Sequence, residues 1–248
     1  MNTTSHDVLL VIDVQNDFCP GGALAVRGGD SVLAPVHQIA PQFKHIVLTQ
    51  DWHPPHHSSF ASAYPGRQPY ETIEMPYGSQ TLWPDHCVQG SLGAELHRDL
   101  QLPQAELILR KGFRPQIDSY SAFFENDRTT ATGLAGYLRE RGLTRLFLCG
   151  LAYDFCVRFS AVDGMALGFD CVVIEDATRA VNLPGSVEAT NMALSDAGVT
   201  LLHSADLLTC RPADSLLHDS HSLSFDRHSV SKLHLSHLGL RATQTWRP

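Results

Sequence analysis

The sequence contains no apolar run that approaches the ~18 residues needed for a membrane-spanning helix. The stretch before Gln15 has neither a basic segment ahead of its apolar run nor a small-residue cleavage site. There is also no dense Lys/Arg stripe, and the net charge of −8 disfavours nucleic acid and anionic membranes as partners. We therefore expect a cytoplasmic protein with no nucleic-acid or membrane partner that acts on a small molecule.

The six cysteines form no C-x-x-C pair and are widely spaced in a chain too long to need disulfide staples. They are Cys19, Cys87, Cys149, Cys156, Cys171 and Cys210. This distribution predicts reduced thiols, as in a cytosol. With 248 residues, of which 43% are hydrophobic and 18% charged, the chain can bury one substantial core.

Short apolar runs alternate with helix-like segments along most of the chain. Strands are predicted at residues 8–14, 45–50, 106–109, 146–149, 169–175 and 198–203. Helices are predicted at residues 30–43, at 92–100, from a cap at Asp127 or Thr129 to about 141, from a cap at Asp154 to about 166, and at 184–197. The alternation predicts an α/β fold, a three-layer α/β/α sandwich with a mostly parallel six-stranded doubly wound sheet.

The periodic pattern ends near residue 210. Residues 211–248 are rich in Ser and His, and their histidine spacing matches no structural zinc site. We predict one domain over residues 1–210 and a solvated extension over residues 211–248 that lies outside the core.

Three charged residues stand where predicted strands end: Asp13, Asp51 and Lys111. The carboxyl ends of parallel strands meet at one edge of a sheet, where α/β proteins bind ligands. We therefore expect these side chains to gather there, together with Cys156 from the turn after the fourth strand. A purely structural ion pair between Asp13 and Lys111 is the alternative, and the neighbouring thiol disfavours it.

Cys156 follows a strand and Gly150, at the predicted start of a helix. Unsatisfied N–H groups at a helix start favour negative charge, so the thiol pKa is expected to fall below its ordinary ~8.5. This position favours a nucleophile. The alternative is a small buried packing group, which is the commoner role of a free cysteine.

Asp51 and His53 are two residues apart, so in an extended chain both side chains point the same way. His86 offers a third ligand, and a set of two histidines and one carboxylate leaves positions open for water or substrate. His57 is a weaker candidate for the same site. The alternative is a histidine-rich surface loop without a metal.

Five separated motifs together carry a family resemblance. They are VIDVQNDF around Asp13, the run DWHPPHHSSF, LWPDHCVQG, ILRKGF around Lys111, and GLAYDFCV around Cys156. In this order they resemble the nicotinamidases of the isochorismatase-like cysteine hydrolase superfamily, over roughly residues 7–208. The metal motif separates nicotinamidases from most other members, which keep only the Asp, Lys and Cys.

The resemblance implies roles for individual residues. It places the catalytic triad on Asp13, Lys111 and Cys156, with Lys111 keeping Asp13 charged and lowering the thiol pKa. It places the metal ligands on Asp51, His53 and His86, with His57 a ligand in some members only. It places the substrate pocket on Phe18, Leu24, Trp83, Tyr120, Leu151 and Phe155. The oxyanion hole would be the N–H groups of Ala152 and Cys156, next to a cis peptide bond between Leu151 and Ala152.

The resemblance also implies an activity: hydrolysis of nicotinamide to nicotinate and ammonia through a cysteine thioester, with the pyridine nitrogen on a bound metal, in NAD salvage. Pyrazinamide is expected to be a second substrate. Zinc is the first expectation for the metal, and iron(II) or manganese also suit the ligands. The oligomeric state stays open, with a homo-oligomer among the possibilities. Phe155 before the nucleophile and the length of the 211–248 extension depart from the family pattern.

Two other functions remain open from the sequence. One is a different isochorismatase-like amidohydrolase, with an N-carbamoyl or ureido substrate or isochorismate, in which the histidines are incidental. The other is a non-enzymatic metal or redox sensor that uses Cys156 reversibly. Bound metal, pyridine-amide turnover and ammonia release separate these readings.

Overall fold

Six parallel strands form the central sheet of the computed structural model, which describes residues 1–208. The strands of the chain are β1 (Asp7–Ile12), β2 (His45–Asp51), β3 (Thr72–Met75), β4 (Gly78–Thr81), β5 (Leu107–Lys111), β6 (Arg145–Leu151), β7 (Asp170–Arg179) and β8 (Thr200–Leu202). The sheet order is β5-β2-β1-β6-β7-β8, with every neighbouring pair parallel. Strands β3 and β4 form a separate antiparallel hairpin. The predicted extension at 211–248 lies outside the described residues, so the domain division stays a prediction.

Helices cover both faces of this sheet. They are α1 (Leu33–Ile39), α2 (Leu134–Glu140), α3 (Arg158–Ala166), α4 (Ser186–Ala197) and α5 (Ser204–Leu208). The predicted three-layer α/β/α fold is confirmed, with a sheet that is wholly parallel. Among residues 1–208, no helix is both long and apolar enough to cross a membrane.

Strand β1 runs through the middle of the core and is buried at all of its residues. Because successive side chains point to opposite faces, Leu9 and Val11 pack in one apolar cluster with Val36 of α1. Leu10 packs in a second cluster, on the other face, with Leu138 of α2. A strand covered on both faces explains the unbroken apolar run in the sequence.

The helix expected at residues 92–100 was wrong, because this segment forms turns and one isolated β-bridge, between Leu96 and Gln15. Its backbone carbonyls bind a distant loop instead: Gly93 accepts the Asp17 N–H at 3.0 Å, and Glu95 accepts the Asn16 N–H at 3.0 Å. The carboxylate of Asp17 also lies against Gly93, where an added Cβ would displace it. Tertiary hydrogen bonds have replaced the local i to i−4 pattern.

The two predicted helix caps were also wrong. Helix α2 begins at Leu134, while Asp127 accepts the N–H groups of Thr129 and Thr130 in an earlier turn. Asp154 lies inside a single π-helical turn, Tyr153–Val157, that precedes α3. These acids therefore stabilise turns and loops, the other common use of a short carboxylate side chain.

The carboxylate of Asp154 joins two segments distant in sequence. It accepts the N–H groups of Val181 and Asn182, each at 2.8 Å, and the Ser186 hydroxyl at 2.5 Å. The π-helical turn is thereby tied to the loop that follows β7.

The first predicted helix is shorter than expected, because single 3-10 turns at Gly29–Val32 and Ala40–Gln42 flank α1. Pro41 stands in the second of these turns. The strand limits differ from expectation by a few residues, most at β7, which continues to Arg179.

Gly150 in β6 is a position at which only glycine fits. Its φ is +104°, and an added Cβ would lie 2.1 Å from the carbonyl oxygen of Ile12 in β1. Because β1 and β6 pair along their whole length, that carbonyl cannot move aside without breaking the centre of the sheet.

We predict that Gly150→Ala lowers the free energy of unfolding by more than ~3 kcal/mol, the range of severe overpacking and backbone strain. Gly136→Ala is the matched control, since Gly136 is exposed on α2 with open space around it. That control should leave stability unchanged or raise it by up to ~1 kcal/mol. Urea unfolding of both variants is the measurement, and equal stabilities would contradict the prediction.

Candidate active site

Four side chains meet at the carboxyl edge of the sheet. Asp13 directly follows β1, Asp51 ends β2, Lys111 ends β5, and Cys156 follows β6. The register of β2 and β5 sets Asp51 opposite Lys111. Asp13 and Lys111 are fully buried, and Cys156 is 6% exposed. Strand ends thus bring together four residues that are far apart in sequence.

The ammonium group of Lys111 lies at the centre of this group. Its Nζ is 2.8 Å from Asp13 Oδ2, contacts Asp51 Oδ1, and donates to the carbonyl oxygen of Ser119 at 2.9 Å. It is also 3.4 Å from the Sγ atom of Cys156. Burial alone would lower the pKa of Lys111, but the two carboxylates raise it well above its usual value. Lys111 therefore stays charged.

The carboxylate of Asp13 lies beside both the Lys111 ammonium group and the Cys156 thiol. The Thr49 hydroxyl donates to Asp13 Oδ1 at 2.6 Å and accepts the Asp13 N–H at 3.2 Å. Burial raises the pKa of Asp13, and the opposing effect of Lys111 does not cancel it. This carboxylate is therefore better able to take up a proton than an ordinary aspartate.

The thiol pKa differs from expectation. Burial raises the pKa of Cys156 well above its usual value, and although Lys111 acts in the lowering direction, Asp13 and Asp51 add to the rise. The expected net fall was therefore wrong. Cys156 rests as a neutral thiol, and a nearby base has to remove its proton. Its Sγ lies within 4.8 Å of carboxylate oxygens of Asp13 and Asp51.

A second group of three side chains shares Asp51. The Oδ2 atom of Asp51 lies 3.7 Å from His53 Nε2 and 3.9 Å from His86 Nε2. The other ring nitrogen of each histidine binds a backbone carbonyl: His53 Nδ1 that of Gly112 and His86 Nδ1 that of Pro84, both at 2.8 Å. These bonds place hydrogens on Nδ1 and leave both Nε2 atoms facing Asp51.

This donor set fits a divalent cation. One carboxylate oxygen and two imidazole nitrogens lie within 4.8 Å of one another, and the second-layer bonds that fix metal-binding histidines are present. Burial and the neighbouring His53 lower the pKa of His86 to about 4, so its imidazole is neutral, the form that binds metals. Asp51 raises the pKa of His53 against the effect of burial, so a cation arriving there would displace a proton.

The ring nitrogens of His57 make hydrogen bonds outside this group. Its Nε2 donates to the Arg114 carbonyl at 2.8 Å, and its Nδ1 accepts the Ser59 N–H at 3.1 Å. Its ring packs against His53 with centroids 4.5 Å apart. His57 therefore supports the ring of a candidate ligand, and both of its own nitrogens are engaged.

A narrow cavity opens beside both groups and is lined by Phe18, Leu24, Trp83, Tyr120 and Phe155, five of the six side chains expected in the pocket. Its rings meet edge to face, with the centroid of Phe155 4.8 Å from that of Trp83 and 5.4 Å from that of Tyr120. Asp51, His86 and Cys156 also line it. Leu151 does not line it, because its side chain packs toward Gly29 in the core.

The peptide bond between Leu151 and Ala152 is cis, as the resemblance implied. Ala152 lines the cavity, and its carbonyl accepts the N–H groups of Phe155 and Val157, each at 3.1 Å. The N–H groups of Ala152 and Cys156, the expected oxyanion donors, thus belong to two residues that line the cavity beside the thiol.

Sequence reasoning missed several residues of the site. Asp118 and Val181 line the cavity, and Thr49 holds the Asp13 carboxylate. Asp118 is an isolated acid in a loop, and Thr49 lies one strand away from its partner. Neither belongs to a recognisable motif, and only the register of β1 against β2 could have indicated Thr49.

One further carboxylate lies near Lys111. Glu125 is 2% exposed, its Oε1 is 3.7 Å from Arg114 Nε, and its Oε2 has no hydrogen-bond partner among residues 1–208. Burial raises the pKa of Glu125 to about 7, although Arg114 and Lys111 act in the opposite direction.

Comparisons with known proteins give one consistent family. The isochorismatase domain model matches residues 7–206. A nicotinamidase of Acinetobacter baylyi is 50% identical over 208 residues, which are 84% of this chain and 97% of that protein. The structure of a nicotinamidase/pyrazinamidase of Acinetobacter baumanii has a TM-score of 0.82 at 51% identity, covering 83% of this chain and 99% of that one.

A further solved structure bears on the metal. The pyrazinamidase of Pyrococcus horikoshii, solved in complex with zinc, has a TM-score of 0.65 at 32% identity, covering 80% of this chain and 99% of that one.

We predict that Glu125→Gln stabilises the protein at pH 8 by about 1–2 kcal/mol, and by much less at pH 5. The folded protein holds the Glu125 proton up to a pH of about 7, whereas the unfolded chain releases it at lower pH. Stability from this group is therefore lost as the pH rises through that window. Thermal unfolding at both pH values is the measurement, with Glu74→Gln on the exposed side of β3 as control. An equal gain at pH 5 and pH 8 would contradict it.

Proposed function

The chain belongs to the isochorismatase-domain family, and from this membership and the geometry of its site we propose that it is a nicotinamidase, which hydrolyses nicotinamide to nicotinate and ammonia. The observation that carries the proposal is the shared cavity. Cys156 lines this cavity with Asp13 and Lys111 directly behind it, and Asp51 and His86 line it with His53 beside them. A carboxamide and a ring nitrogen on one small aromatic molecule match these two groups.

The first step uses Asp13 as a general base. Its carboxylate takes the proton from the Cys156 thiol, and the Sγ atom attacks the carboxamide carbon, forming a C–S bond. The raised pKa of Asp13 lets it hold this proton, and the raised pKa of Cys156 explains why the base is needed. Lys111 stays charged. Its positive charge balances the negative charge that moves between the Asp13 carboxylate and the Cys156 sulfur.

The attack places a negative charge on the amide oxygen. In this proposal the N–H groups of Ala152 and Cys156 donate to that oxygen, each worth about 3 kcal/mol of transition-state stabilisation. Both groups are backbone donors beside the thiol, so they need no charge or reorganisation of their own.

The tetrahedral intermediate collapses as the C–N bond breaks. Asp13 returns its proton to the departing nitrogen, and ammonia leaves a Cys156 thioester. A water molecule then attacks the thioester carbon and gives a proton to Asp13. The C–S bond breaks, the proton on Asp13 returns to the sulfur, and nicotinic acid is released and loses its carboxyl proton to solvent to give nicotinate.

Asp51, His53 and His86 are proposed to hold a divalent cation. When bound, the cation supplies a Lewis acid that accepts the lone pair of the pyridine nitrogen and so selects and orients the ring. Zinc is our first choice, because two imidazoles and a carboxylate suit it and the Pyrococcus horikoshii pyrazinamidase was solved with zinc. Iron(II) and manganese suit the same ligands.

The aromatic side chains that line the cavity suit a substrate with a single flat ring. Trp83, Tyr120 and Phe155 present ring faces and edges on which a flat six-membered ring can pack. Pyrazinamide carries a ring nitrogen and a carboxamide in the same relation as nicotinamide, so we propose it as a second substrate.

We propose that this reaction belongs to NAD salvage. The five described cysteines are free, which supports a reducing, cytoplasmic location.

We predict that the purified protein releases ammonia from nicotinamide and not from benzamide, which lacks the ring nitrogen. A chelator should abolish release, and zinc, iron(II) or manganese should restore it. Cys156→Ala is the inactive control and should lower turnover by at least ~1000-fold. If no ammonia is released after refilling with each of the three metals, a carbamoyl or ureido hydrolase is favoured. Turnover at the wild-type rate by Cys156→Ala would exclude Cys156 as the nucleophile.

We predict that His53→Ala weakens zinc binding by at least about 100-fold, because it removes a proposed ligand. His57→Ala is the matched control and should retain zinc, since both ring nitrogens of His57 bind other groups. Cys156→Ala should also retain zinc. Metal content after dialysis against a zinc buffer is the measurement, and equal loss from the two histidine variants would contradict the ligand assignment.

A further inference from the structure

The side chain of Gln80 lies at the centre of a buried hydrogen-bond network behind one wall of the cavity. Gln80 is on β4 and fully buried, although its neighbours Gly78 and Ser79 are exposed. Its Nε2 group lies 2.8 Å from Asp118 Oδ2 and 3.0 Å from the Tyr120 hydroxyl. The short hairpin thus inserts one polar group into the interior.

The amide of Gln80 has a single favourable orientation. Its Nε2 faces acceptors, the Asp118 carboxylate and the Thr81 carbonyl at 2.7 Å. Its Oε1 accepts the Tyr77 hydroxyl and the Asn126 Nδ2–H group, each at 3.2 Å. A flipped amide would place its oxygen against a carboxylate, so the surrounding donors and acceptors fix the side chain.

Two of the three residues whose acceptors lie near Gln80 Nε2, Asp118 and Tyr120, line the cavity. Asp118 Oδ1 accepts the Ser119 N–H at 2.8 Å and lies 3.9 Å from His53 Nε2. Asp118 and Tyr120, two residues that line the cavity, therefore both contact the buried amide of Gln80.

The Tyr120 hydroxyl keeps one unused donor. It accepts N–H groups from Gln80 and, at 3.1 Å, from the indole of Trp83. Within residues 1–208 no acceptor for its own hydrogen lies within hydrogen-bonding distance. A hydroxyl that has accepted two bonds can still donate one, and a ligand in the cavity is the acceptor that remains.

The loop that carries Asp118 and Tyr120 has no regular secondary structure of its own. Asn126 holds its backbone, accepting the Tyr120 N–H at 3.0 Å and donating its own N–H to the Asp118 carbonyl at 2.7 Å. Gln80 holds the two side chains and is bonded to Asn126 as well. Without Gln80, each of the two side chains loses one of the hydrogen bonds that set its direction.

We propose that Gln80 is a positioning residue that determines how tightly the substrate binds, acting through Asp118 and the Tyr120 hydroxyl. The inference rests on the proposed nicotinamidase function. Because these groups contact the ligand both before and during the reaction, their loss raises KM and leaves kcat nearly unchanged. Gln80 itself does not line the cavity and is not a catalytic residue.

The test is steady-state kinetics of nicotinamide hydrolysis by the zinc-loaded full chain. Gln80→Met keeps the length of the side chain and removes its hydrogen bonds, and it should raise KM about 10-fold with kcat changed less than ~3-fold. Gln80→Glu sets a second carboxyl group beside Asp118 and should raise KM further. Tyr120→Phe removes only the hydroxyl and should also raise KM, which tests the inference without changing Gln80.

The double variant gives the decisive comparison. If Gln80 acts through the Tyr120 hydroxyl, Gln80→Met should raise KM less in the Tyr120→Phe protein than in the wild type. Thr190→Val is the matched control, because it removes a buried hydrogen bond in α4, to the Ser186 carbonyl at 2.8 Å, away from the cavity. It should lower the melting temperature and leave KM unchanged.

Three results would overturn the inference: an unchanged KM in Gln80→Met or in Tyr120→Phe, strictly additive effects in the double variant, or a loss of kcat with KM unchanged. These results differ from a failure of the proposed function, in which the wild-type protein itself releases no ammonia from nicotinamide.

Discussion

The site depends on the ion pairs that the buried ammonium group of Lys111 makes with Asp13 and Asp51. A buried charge costs several kcal/mol unless it is paired, and two neighbouring buried carboxylates would repel each other. Lys111 lies between Asp13 and Asp51 and offsets both costs. It thereby joins the half of the site that holds the thiol to the half that holds the histidines. Each half needs the other's carboxylate to keep this cation stable.

This arrangement decides the resting state of the nucleophile. A lone lysine beside a thiol would favour thiolate. Here the charges of the two carboxylates outweigh the single positive charge of Lys111, and burial disfavours a further negative charge on sulfur. Cys156 therefore keeps its proton until Asp13 removes it. A neutral resting thiol is also a weaker target for oxidation than a thiolate, so the same balance that requires a base protects the sulfur between turnovers.

The sequence predicted the parts of the structure that follow from local rules. Buried strands are visible as apolar runs, and the charged residues that end them were expected to meet, as Asp13, Asp51 and Lys111 do. The predictions of a helix at residues 92–100 and of a cap at Asp154 were wrong because hydrogen bonds to distant loops replaced local ones. The rise in the Cys156 pKa could not be predicted either, since burial and the position of Asp13 are set by the assembled sheet.

Residues at strand ends could be predicted from the sequence and loop residues that line the cavity could not, and this difference has a physical origin. Strand ends are placed by the sheet, so their chemistry can be recognised from residue type and position alone. The far wall of the cavity consists of loop side chains, whose directions depend on partners such as Gln80 on a separate hairpin. A fully buried glutamine that follows two exposed residues leaves no pattern in sequence. Positions that tune substrate binding in such a site are therefore found by following buried hydrogen bonds outward from the cavity.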